Sequence, residues 1–360
     1  MTVMDSSRRA LPRVLLLLKI GATVLLFWLL FRNDEFSVHS LLEELRRVEF
    51  SRLLPWVVFA LLIKLVGIFA NVRRWQLLLR GQELKLSFSF LCGSFFVGRF
   101  FGIVTPGTLG LDGFKLYDAI RVTRKPVVCS AVLLIDKVVG FISLASLLVL
   151  VFPIAWSLFE SLNASRALLI GTVAFCGTAL FFVLLLFPAL SRPLLGLLPG
   201  ARLKDFGTRV FEAATAYASH RGLLMKAVGL GTVGHLTTAL MYWALLSGMS
   251  PAEADAPGVI TVLFVALLMT SATLVAPTVG GEGVREYSFA VLLEGLVPQT
   301  RSVLFGHAGF WIEKGLLGLP GGVVYLLRKS SYDGSVTRAD LERVKAEAVR
   351  DVASDPEGEP

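Results

Sequence analysis

The chain is 360 residues long, 55% hydrophobic and only 17% charged, with a mean hydropathy of +0.71, which excludes an ordinary soluble domain and predicts an integral membrane protein. The net charge of +8 sits on Lys and Arg residues gathered at the ends of apolar segments, so it reads as membrane topology and not as a nucleic-acid surface. Cys92, Cys129 and Cys176 lie inside apolar runs without CxxC or Cys/His spacing, which predicts core packing and neither a disulfide framework, a metal site nor a cofactor.

Arg8, Arg9 and Arg13 precede an apolar run over 14–31. That run is long enough to span, and no small-residue cleavage pattern follows it, so an uncleaved first helix is expected. Val38, Leu41, Leu42, Leu45 and Val48 then follow helical spacing with charges opposite, predicting an interfacial helix. The next span is expected over 53–71. Within it Lys64 is assigned to snorkelling toward the interface, and Arg73, Arg74 and Trp75 just beyond read as an interfacial anchor.

Further apolar spans are predicted over 126–157, 166–187, 222–246 and 302–327, with a second amphipathic stretch around 206–217. His235 is expected to hydrogen-bond between helices. Two other apolar stretches, 87–120 and 258–296, are broken by TPGTLGLDG and APTVGGEG. Pro and clustered Gly interrupt a helix, and neither stretch holds two spans and a loop, so each is predicted to be a re-entrant helical hairpin. The polar tail, 329–360, is expected to be cytoplasmic.

Loop charges orient these pieces. Residues 72–86, 121–125 and 188–221 are rich in Lys and Arg, whereas 247–257 carries Glu253 and Asp255 and no cation. By the positive-inside rule the first three are cytoplasmic and the last lies outside. The expected fold is therefore an all-α polytopic membrane bundle of six full spans and two re-entrant hairpins. Its repeats, 1–160 and 161–328, would be inverted, with both termini inside.

The two broken stretches also share a sentence. GLDGFKLY follows Pro106 and GGEGVREY follows Pro277. Each places an acid (Asp112, Glu282), a base three residues on (Lys115, Arg285) and a tyrosine (Tyr117, Tyr287) around paired glycines, Gly110 and Gly113 or Gly280 and Gly283. Helices restarting at Gly113 and Gly283 would direct N-terminal N–H groups into the membrane, suiting an anion. The adjacent pairs Asp136–Lys137 and Glu313–Lys314 also fall near mid-depth, by a rise of about 1.5 Å per residue. Ionisable groups at that depth are expensive and functional by default, so all eight are candidate substrate-binding residues, with Tyr117 and Tyr287 added as hydrogen-bonding groups on the same helical faces and Arg99 for its nearness to the first break.

RRWQLLLRG, SFFVGRFFGIVTPGTLGLDGFKLYDA, LLIDKVVGF, VAPTVGGEGVREYSF and LPGGVVYLLR together resemble the lysylphosphatidylglycerol synthase transmembrane family, also described as flippase-like membrane proteins. The resemblance implies a multi-pass protein of the bacterial or archaeal cytoplasmic membrane that moves a membrane lipid, or supports its movement, between leaflets. Its best-understood relatives join this bundle to a soluble aminoacyl-transferase domain, and lysine transfer is not carried over here. With no GxxxxGK[ST] loop no built-in ATPase is expected. The alternatives are a membrane enzyme acting on a lipid-linked phosphate and an accessory subunit of a lipid or glycan pathway. The partners expected are a phospholipid or lipid-linked headgroup, no nucleic acid, and either a second copy of the chain or a biosynthetic enzyme.

Overall fold

The computed structural model describes residues 21–32, 37–103, 105, 109–161, 221–250, 257–275 and 281–329. The predicted span 166–187, the amphipathic stretch 206–217, the polar tail, Cys176, Pro106, Pro277 and Gly280 lie outside the described residues. Within them the protein is helical, with no strand.

The elements in chain order are α1 (Gly21–Phe31), α2 (Val38–Arg47), α3 (Phe50–Gly81), α4 (Phe88–Phe101), α5 (Leu109–Thr123) and α6 (Pro126–Ser161). There follow α7 (Arg221–Met249), α8 (Val259–Val275), α9 (Val284–Leu292), α10 (Gln299–Phe310), a π-turn (Trp311–Leu316) and α11 (Leu319–Leu327). Among the described residues four stretches are long and apolar enough to cross a bilayer: Phe50–Gly81, Pro126–Ala155, Gly222–Met249 and the composite Gln299–Leu327. The protein is therefore a polytopic helical membrane bundle.

Both broken stretches are pairs of short helices. At about 1.5 Å per residue, α4 and α5 are each too short to cross roughly 30 Å of hydrocarbon, and so is α9. The first pair differs from expectation in its register. Its second arm begins at Leu109, so Gly113 lies inside α5 and exposed. The second pair restarts as expected: Gly283 is the N-cap of α9, with a φ of +78° that favours glycine.

The predicted span 53–71 is also too short. α3 continues ten residues further, to Gly81, because its last turns pack on protein instead of lipid: Trp75, Leu78 and Leu79 are buried. That extension overturns the anchor reading of Arg74 and Trp75, since only Arg73 of that trio is exposed.

Helix contacts rest on small residues, as expected where lipid tails remove the hydrophobic drive between helices. A Cβ on Gly67 of α3 would fall 2.0 Å from Thr237 Oγ1 of α7, and one on Gly321 of α11 would fall 1.9 Å from the Phe96 carbonyl oxygen of α4. The centre of the bundle is α8, whose residues 261–269 are all buried; a helix apolar on every side belongs there. The Tyr242–Phe289–Phe305 cluster, with centroids 4.5 to 6.3 Å apart, locks α7, α9 and α10 together.

α2 is the interfacial helix the spacing predicts, started by the Ser37 side chain on the Ser40 N–H. Val38, Leu42 and Leu45 face outward. Glu44, however, turns inward and accepts from Arg301 Nε of α10 at 2.5 Å, both residues being buried.

Candidate functional site

Three of the long spans carry an ionisable residue at their midpoints. Lys64 is 14 residues into Phe50–Gly81, His235 is 13 residues into Gly222–Met249, and Glu313 is 14 residues from either end of Gln299–Leu327. The structure brings them into one neighbourhood. Lys64 Nζ stands 3.1 Å from Glu313 Oε1 and donates to Thr238 Oγ1 of α7 at 2.6 Å. Lys64 is buried, so it does not snorkel: a carboxylate and a hydroxyl within reach make the interior the cheaper place for its charge.

Glu313 belongs to the π-turn, a form of helix that is rare and concentrated at functional sites. Arg99, from the end of α4, lies 3.7 Å from the same Glu313 oxygen and donates to the Glu313 backbone carbonyl. Lys314 joins Lys64 and Arg99 in the electrostatic field around Glu313. It makes no hydrogen bond and no ion pair among the described residues.

Arg285 adjoins this group from the second broken pair and is within electrostatic reach of Glu313 and Tyr242. It lies under the Phe310 ring at 5.0 Å and 3.6 Å from Glu286. Glu286 is buried. Its Oε2 accepts from the Gly283 N–H at 2.8 Å, so Glu286, and not Glu282, satisfies the helix start. Its Oε1 faces His307 Nδ1 at 3.7 Å. Trp311 Nε1 donates to His307 Nε2 at 2.9 Å, which assigns the ring proton to Nδ1, toward Glu286. Glu282 sits beside these groups without a hydrogen bond or ion pair among the described residues.

The first-half charges form a separate, closed group. Asp136 of α6 takes Lys115 at 2.6 Å and Arg74 at 2.7 Å, while Asp112 takes Lys137 at 2.6 Å. Lys115 also lies 4.9 Å from the Trp75 ring, a cation–π contact. Asp112 is not a helix cap; it stands in the first turn of α5 and pairs across to α6. His235 lies between the two groups, near Arg74, Lys64 and Glu313, and bonds the Gly140 carbonyl of α6 at 3.1 Å as the interhelical partner expected. Tyr287 packs on the Leu30–Ala290–Val303 cluster, and Tyr117 lies edge-on to Phe114 at 6.3 Å.

The family model for the lysylphosphatidylglycerol synthase TM region matches residues 16–308. The chain belongs to that family. No curated protein matches it. The match covers both broken pairs and all the charges above except Glu313 and Lys314, which lie just past its end, on the last described span.

Residues that sequence reasoning undervalued are Lys64, Arg74 and Glu286. The signal for Lys64 was present: a lone cation in the middle of LLIKLVG is at maximal depth, where an ionisable group is a functional candidate. Two further pairs hold the frame. Asp118 of α5 accepts from Ser94 Oγ at 2.5 Å and faces Arg328 at 3.8 Å, tying the end of the last span to the first broken pair. The Glu44–Arg301 pair does the same for α2.

Proposed function

We propose that the protein carries the headgroup of a phosphate-bearing lipid between the leaflets of a bacterial cytoplasmic membrane, with Glu313 and its surrounding cations as the mid-depth station. One observation carries this reading. At the midpoint of a span, Lys64, Arg99 and Lys314 surround a single carboxylate, an excess of positive charge that suits a phosphate and that the bilayer would otherwise penalise. Arg and Lys are the residues that bind phosphate, Arg as a fork and Lys as a point charge.

The headgroup passes along the polar side chains while the acyl chains stay in lipid. Arg285 lies on the path toward His307, and His235 toward the Asp136 group. The Asp136 group comes wholly from the first half, whereas the Glu313 group joins Lys64 and Arg99 of the first half to Glu313 of the second, so movement of one half against the other, as inverted repeats perform it, would open and close the Glu313 station. The termini and the Arg-rich end of α3 face the cytoplasm in this scheme.

The test is purified full-length protein in liposomes containing a trace of tail-labelled phosphatidylglycerol, with outer-leaflet label quenched by dithionite. Protein-dependent quenching of inner-leaflet label is expected. Lys64→Gln and Arg99→Gln should each slow it at least tenfold; no protein-dependent crossing, or crossing untouched by both substitutions, overturns the proposal.

A further inference from the structure

The cations around the π-turn outnumber their anion in a specific way. One oxygen, Glu313 Oε1, serves Lys64 at 3.1 Å and Arg99 at 3.7 Å. Arg99 is 7% exposed, and its buried Nε has no hydrogen-bond partner. Lys314, the very next residue, has neither a hydrogen bond nor an ion pair among the described residues. Buried cations persist when paired; one carboxylate oxygen already serves the buried Lys64 and Arg99, and the half-buried Lys314 beside it is left over. The place where Glu313 sits, between an ammonium and a guanidinium, also matches what a phosphate ester requires.

Resting on the lipid-headgroup reading above, we infer that Glu313 is a tethered stand-in anion: its carboxylate holds the phosphate seat between Lys64 and Arg99, and an arriving phosphate ester displaces it toward Lys314. The exchange completes the matching of charges. Before it, Glu313 serves Lys64 and Arg99 while Lys314 is unmatched; after it, the phosphate serves Lys64 and Arg99, and Glu313 serves Lys314. A neutral headgroup has nothing with which to displace the carboxylate, so Glu313 is the residue that sets admission. The π-turn supports this, because it carries Glu313 and Lys314 consecutively on a helix segment whose backbone already departs from regular α geometry.

The experiment is thermal unfolding of the purified full chain in neutral detergent at low salt. It is titrated in one arm with glycerol 1-phosphate and in another with the water-soluble lipid dihexanoyl phosphatidylglycerol. A ligand that competes with a tethered group binds with an affinity reduced by the fraction of time the seat is open. Glu313→Gln therefore lowers the half-saturating concentration by about tenfold or more, and Lys314→Gln raises it, because the displaced carboxylate loses its partner. Glu313→Asp, which keeps the charge on a shorter stem, lowers it by less and decides the matter if the Gln variant does not fold. A Glu313 with only a structural role would lower the unfolding temperature without ligand and leave half-saturation where it was. Weaker or unchanged binding in Glu313→Gln, or in Glu313→Asp where that variant stands in, overturns the exchange, as does an absence of stabilisation by both compounds. Equal potency of the two compounds assigns the seat to a free phosphate ester, which removes the lipid reading and leaves the exchange standing. Failure of liposome crossing with these titrations intact does the same.

Discussion

Lys115 passes over Asp112, three residues back on its own helix, and pairs with Asp136 of α6 at 2.6 Å, leaving Asp112 to Lys137 at 2.6 Å. The crossed arrangement ties α5 to α6 twice. Asp136 also holds Arg74 at 2.7 Å, so one carboxylate anchors cations from two other helices.

The two members of that triad should therefore respond unequally to neutral substitution. Lys115→Met leaves the Asp136–Arg74 pair intact and one-to-one, and should cost about 1 kcal/mol or less, since it removes a desolvated ammonium without stranding a buried charge. Asp136→Asn strands two buried cations and should cost about 3–5 kcal/mol, the range for breaking a buried pair. Thermal unfolding of the two variants in the same detergent gives the ordering. A Lys115→Met variant as unstable as Asp136→Asn would show that the triad does not divide as its geometry indicates.

Two glycines, one singled out by the sequence and one not, should also differ. Gly113 lies in helix with nothing within 4 Å of an added Cβ, so Gly113→Ala should stabilise by about 0.5–1 kcal/mol through helix propensity. On Gly321 the same methyl would meet the Phe96 carbonyl oxygen at 1.9 Å. Gly321→Ala must push α11 off α4 and should destabilise by at least about 1–3 kcal/mol, as overpacking does. Unfolding temperatures moving in the same direction would contradict both placements.

The Glu44–Arg301 pair should govern α2 locally. α2 presents Val38, Leu42 and Leu45 outward, so its attachment to the bundle depends on Leu41 and this buried pair. Glu44→Ala should raise amide exchange across residues 38–47 by about tenfold or more, from the loss of a buried pair. Exchange in α3 and α7 should stay unchanged. A uniform rise across the bundle would mean that the pair supports the whole fold.

The sequence made the punctuation legible and left the pairing hidden. TPGTLGLDG and APTVGGEG break helices by local backbone chemistry, so two pairs of short helices follow whatever the tertiary context. Span ends were less legible, as α3 shows: an apolar run measures contact with lipid, whereas Arg74 and Trp75 extend the helix by packing on protein. The positions of the acid–base sites along their helices were legible, since helical rise fixes distance along a helix directly. Their partners were not, because Lys64 meets Glu313 and Glu44 meets Arg301 across some 250 residues of chain, and one-dimensional spacing does not say which faces of two helices meet. Asp112 illustrates the cost: its own neighbourhood places it only beside a helix start, whereas it serves Lys137 on the next helix.

The orientation in the membrane is open to direct labelling. By the positive-inside rule, the Lys and Arg residues at the end of α3 predict Arg80 on the cytoplasmic side, and the cation-free segment before α8 predicts Gly258 outside. Both positions are exposed, and an added side chain at Gly258 meets nothing within 4 Å. In a background with Cys92, Cys129 and Cys176 changed to Ser, Gly258→Cys should react in intact cells with a membrane-impermeant maleimide. Arg80→Cys should react only after the membrane is opened. Three full spans are expected between the two sites, over 126–157, 166–187 and 222–246, and a label reaching both sites from outside would make that number even. The two broken pairs would then enter from the same side, and alternation between inverted halves would lose its geometric basis.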